Sequence, residues 1–107
     1  MKWIVSTAAL LLSSLVSAQD VVVVQINAKW NRANTLEDLR YLKNCKYVFG
    51  WLENQPHDIQ ASVQAVPIIV VYKDDVPCMQ YAANIMLKPS VTASEVQSFV
   101  NSLAGKD

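Results

Sequence analysis

The sequence predicts an α/β domain with a four-stranded mixed sheet and helices on both faces, in the order β-α-β-α-β-β-α. Three observations carry that expectation. Residues 21–28 are a near-continuous run of Val and Ile, the pattern of a strand buried on both faces at the centre of a covered sheet. A helical period opens directly after it, so the first connection is a parallel crossover, right-handed by the usual rule. A proline-led apolar run over 65–72 then meets a tight-turn signal and a further strand, which together make a hairpin.

The elements follow in order. Behind the turn from Trp30 to Asn34, Leu36, Leu39 and Leu42 recur at helical spacing, with Glu37, Asp38, Arg40 and Lys43 on the other side. Asn34 with Glu37, or Thr35 with Asp38, is the expected cap, and Asn44 the stop. A second strand is expected over 46–53, with Tyr47, Phe49 and Trp51 on one face and Gly50 admitting a close approach. Pro56 opens a short helix whose inner side is Ile59 and Val63. The third strand runs to Tyr72, Lys73-Asp74-Asp75 turns the chain, and 76–82 returns as a fourth strand. Pro77 assigns that strand to a sheet edge. A loop over 84–89 carries Ile85, Met86 and Leu87. Thr92 and Glu95 make a capping box for a last helix with the stripe Val96, Phe99, Val100 and Leu103, closed by Gly105.

Length allows one small domain. Met1-Lys2, an apolar stretch to Val16 and the small-x-small exit Val16-Ser17-Ala18 predict a signal peptide over 1–18, cleaved after Ala18, and a mature domain over 19–107. The chain is thus expected to be exported, whether secreted, periplasmic or in the ER lumen. Loss of Lys2 leaves the mature chain one unit acidic, with no positive field to attract nucleic acid or an anionic membrane. The expected partner is another protein or a second copy, with no membrane contact after cleavage. His57 is the single histidine, and no metal set, catalytic triad, phosphate-cradling loop or carboxylate pair is spaced for chemistry. No cofactor and no catalytic residue is expected.

Three stretches bear a family resemblance. The segment Ala28-Lys29-Trp30-Asn31-Arg32-Ala33-Asn34 resembles the Ala-x-Trp-Cys-x-x-Cys turn of the thioredoxin-like superfamily. Val66-Pro67 and the following strand resemble that family's cis-proline strand and hairpin, and 94–103 resembles its final helix. The likeness covers residues 21–103 in a short version of the fold, without the family's usual first strand and helix. The departure is chemical. Asn31 and Asn34 stand where the two cysteines would be, and disulfide exchange needs a thiolate that an amide cannot supply. The resemblance therefore implies the scaffold without the redox pair, and Asn34 also reads simply as a helix cap.

Within that scaffold the retained surface is a groove beside the cis-proline, formed by Trp30, Asn31, Arg32, Asn34, Val66 and Pro67. Ile85, Met86 and Leu87 either add an apolar patch to it or fold back onto the core. Cys45 and Cys78 would lie on opposite edges of the sheet, three inter-strand gaps or roughly 14 Å apart. A disulfide spans about 7 Å between Cα atoms, so both are candidate thiols for a bond to another chain, or free. The leading expectation is a non-catalytic protein-binding module or assembly subunit, acting through the cis-proline groove and exposed sheet edges. The alternatives are a thiol-redox or chaperone-type protein using Cys45 or Cys78, and a self-assembling secreted structural subunit.

Overall fold

A computed structural model describes residues 21–105, and the leader expected over 1–18 lies outside them. Strand β1 (Val21–Asn27) is buried along its whole length, as a Val/Ile run between two helical layers must be. It pairs in parallel with β2 (Lys46–Trp51) and antiparallel with β3 (Ile68–Lys73), and β4 (Val76–Tyr81) pairs antiparallel with β3. The sheet order is β2-β1-β3-β4. Val22 faces Lys46 on one side and Tyr72 on the other, and Asn27 at the opposite end faces Trp51.

Alternation along β1 divides the core in two. Val22, Val24 and Ile26 pack with Ile68, Val70 and Tyr72 under Ile59, the single buried residue of helix α1 (His57–Ser62). Val21 and Val23 pack with Ile69, Val71 and Leu39 under Val96 and Val100 of helix α2 (Ala93–Ala104). The α2 capping box forms as expected: Glu95 N–H donates to Thr92 Oγ1, Thr92 N–H donates to the Glu95 carboxylate, and Gly105 closes the helix at φ 73°.

The helix expected behind the first turn is not α-helical. Two 3-10 segments stand there, Lys29–Asn34 and Glu37–Tyr41, with a break in helical geometry at Asn31. The reason lies in the strand below. Gln25 accepts from Leu36 N–H and donates to Leu36 C=O, while Asn27 Nδ2 donates to Asn31 C=O. Side chains thus take the backbone groups that an α-helical ladder would use. Neither Asn34 nor Thr35 caps a helix. Of the predicted leucine stripe only Leu39 is fully buried, with Leu36 and Leu42 packed at its margin.

Three further boundaries shift. β2 ends at Trp51 because Leu52–Asn54 makes a 3-10 turn, and β3 begins only at Ile68, after a cis Val66–Pro67 bond. The hairpin turns through Asp74 and Asp75 at φ 53° and 66°, the left-handed pair that matches strand twist. In β4 the register slips between the pairs Val71–Met79 and Tyr72–Pro77, which leaves Cys78 as the extra residue of a bulge.

Candidate functional site

The turn at the end of β1 is built on amides. Asn27 and Asn31 are buried, and with Gln25 they are the buried polar residues among those described. Asn27 uses its full capacity: Nδ2 donates to Asn31 C=O (3.0 Å) and Thr35 Oγ1 (2.8 Å), and Oδ1 accepts from Ala28 N–H (2.9 Å) and Asn31 Nδ2 (3.1 Å). Asn31 Nδ2 also donates to the carbonyls of Val66 (3.1 Å) and Leu87 (2.9 Å). Two N–H bonds thus share three acceptors. Asn34 Nδ2 donates to Asn31 Oδ1 at 2.7 Å, so the two asparagines of the turn bond each other.

This network fixes three segments at one point: the turn, the residue before Pro67 and the 84–89 loop. The loop is held internally by Asn84, whose Oδ1 accepts from Met86 N–H and Lys88 N–H. Leu87 adopts φ 59°. The other non-glycine residues at positive φ are Asn44, Asp74 and Asp75, types that tolerate the left-handed region, whereas Leu87 does not. Its conformation persists because hydrogen bonds on both sides hold it.

Around the network Trp30, Ile85 and Met86 point outward, while Val66 and Pro67 are buried. Trp30 is 68 % exposed, Met86 65 % and Ile85 98 %. Trp30, Val66 and Leu87 line a shallow depression of about 280 Å³ with Leu52, Val63, Gln64 and Ala65. Both carboxylate oxygens of Glu53 accept from Lys29 N–H (3.1 and 3.0 Å), which ties the start of the turn beside this depression. Ile85 and Met86 therefore do not fold back onto the core.

Arg32 departs from the expected grouping. Its guanidinium lies 5.6 Å from the centre of the Trp51 ring, over β2, and lines a different depression. Cys45 and Cys78 are free thiols at the end of the sheet away from the turn, flanking the Lys46–Val22–Tyr72–Pro77 row. Cys45 is half-buried, and burial pushes its pKa up to about 11, which suppresses the thiolate. Cys78 is exposed on the β4 bulge. His57 is exposed at the start of α1, and among the described residues no group of three His, Cys, Asp or Glu could hold a metal ion.

The four-stranded mixed sheet in the order β2-β1-β3-β4, flanked by helices, superposes on solved thioredoxins. The chain has a thioredoxin-like fold. A thioredoxin variant from Halobacterium salinarum superposes with a TM-score of 0.67 at 17 % identity, over 87 % of this chain and 82 % of that one. The oxidised thioredoxin of Plasmodium falciparum gives 0.57 at 16 % identity over 94 % and 96 %, and Schistosoma mansoni thioredoxin 0.60 at 14 % over 85 % of each. At such identities the likeness is one of fold. No family model and no curated protein matches the sequence.

The sequence reading gave Thr35 a capping role, where it accepts from Asn27 instead, and missed Gln25 and Asn27, which hold the turn in its 3-10 form. Their signal was present. Amides at positions 25 and 27 interrupt an apolar strand on one face, and a buried amide requires partners.

Proposed function

We propose that this thioredoxin-like chain is a non-catalytic module that binds another protein through the surface around Trp30, Ile85 and Met86. The observation that supports it most directly is the Asn31 side chain. Its donors are committed to Val66 C=O and Leu87 C=O, so the position that would need a nucleophile serves as a staple instead. The buried polar groups of the turn are carboxamides, which neither ionise near neutrality nor exchange with a disulfide. Beside the staple, two large apolar side chains of the loop and one of the turn are displayed to solvent, an arrangement suited to the apolar centre of a protein interface.

Inertness toward disulfides and partner binding are separately measurable. In an insulin-disulfide reduction assay the chain is expected to be inert, and the double variant N31C/N34C to gain at least weak activity. Turnover by the unmodified chain would reverse the conclusion and move attention to Cys78, which is exposed where Cys45 is shielded. For the binding arm, a partner captured from the native source under non-reducing conditions is expected to be lost with W30D or I85D. Retention of the partner by both variants would remove the surface from the proposal. Export belongs to the same proposal, and N-terminal sequencing of the protein from its source should begin at Gln19.

A further inference from the structure

We propose that the outer edge of β2 accepts an extended segment of another protein as an added strand, with an acidic side chain of that segment seated between Arg32 and Arg40. This rests on the binding-module reading and names partner chemistry at a second surface.

The two sheet edges are unequal. β4 is blunted: Pro77 lacks a backbone donor, and the bulge at Cys78 interrupts the ladder. β2 carries neither device. It is the terminal strand of the sheet, its sequence is Lys-Tyr-Val-Phe-Gly-Trp, and among the described residues nothing pairs with its outer side. Alternate N–H and C=O groups along such an edge are a template for another strand. Gln55 Nε2 donates to Trp51 C=O, so the open stretch is 46–50.

A depression of about 320 Å³ lies against this strand, lined by Arg32, Arg40, Tyr47, Phe49 and Trp51 together with Glu37 and Thr35. Its aromatic members are fixed. Phe49 and Trp51 meet edge to face at 4.8 Å, Arg32 lies against Trp51, and the Tyr47 hydroxyl accepts from Gln25 Nε2 at 2.7 Å. Tyr47, Phe49 and Trp51 share one face of β2, the face toward which every second side chain of an added strand would project. Arg32 and Arg40 against Glu37 leave the lining one unit cationic, although Asp38 also stands beside Arg40, whose guanidinium lies 5.1 Å from the centre of the Tyr41 ring. The donor fork of a guanidinium matches a carboxylate in planar, bidentate contact. Main-chain pairing supplies affinity, and the arginine pair selects the side chain.

A display selection of random heptapeptides on the folded chain tests this, followed by amide-shift mapping with one selected peptide. The selected peptides are expected to alternate β-branched residues with an Asp or Glu at one position, and to shift amides 46–50. The double variant R32A/R40A, verified as folded by circular dichroism, should bind that peptide at least tenfold more weakly, and methylation of the peptide's backbone amides should abolish binding. Selected peptides without an acidic position, or with equal affinity for R32A/R40A, overturn the inference. Peptides that map to Trp30, Ile85 and Met86 overturn it while leaving the binding-module reading in place. If no peptide is selected, the inference fails, and the capture experiment with W30D and I85D decides the binding-module reading on its own.

Discussion

Asn31 is the residue on which the turn depends. Replacing it with Ala removes the donor to Val66 C=O and Leu87 C=O, while Asn27 Oδ1 keeps Ala28 N–H. Such a loss costs about 1–3 kcal/mol. Asn31→Ala is therefore expected to lower stability to chemical denaturation by that amount, and to speed hydrogen exchange through the 84–89 loop. Unchanged exchange there would mean that Asn84 alone holds the loop. The sequence identified Asn31 as a member of the site but not what it does. Of the two asparagines, Asn34 is the one that reads as a cap, because capping partners lie within a few residues. Two of the three acceptors that Asn31 uses are 35 and 56 positions away, and no local pattern encodes those two.

At the level of elements, legibility followed the locality of the interactions. Helix α2 was readable to its ends because its cap, its stripe and its terminating glycine all lie within it. Thr92→Ala should cost about 1 kcal/mol by denaturant melting, as loss of a hydroxyl cap does. The stretch 29–41 was misread because its backbone partners, Gln25 and Asn27, belong to another element. Helix α1 has a single buried residue to hold it against the sheet, and Ile59→Ala should cost 2–5 kcal/mol, about the usual range for an aliphatic truncated in a core. A smaller loss would mean that α1 closes down over the gap.

For the whole molecule, the central strand made the architecture legible. A run apolar on both faces leaves room for a helical layer above and below, and the parallel crossover and the hairpin then fix the strand order. Burial on these two layers also ties stability to alkaline pH. It raises Cys45 from its ordinary 9.0 to about 11 and Tyr72 from 10.0 to about 12. The Tyr72 hydroxyl has no hydrogen-bond partner among the described residues, so nothing offsets its desolvation. Both groups hold their protons more tightly folded than unfolded. Their contribution is complete below the unfolded values and is lost as pH climbs through the folded ones. The urea midpoint should fall as pH rises from 9 toward 12, and Cys45→Val should delay the onset of that fall.

Because one amide reaches both the proline-preceding carbonyl and the Leu87 carbonyl, the effects of changes at 31 and 87 should be non-additive. Leu87→Gly would relieve the left-handed backbone and let the loop keep its path unaided. In that background Asn31→Ala should do less damage than in the parent chain, a coupling that a double-mutant cycle would read directly.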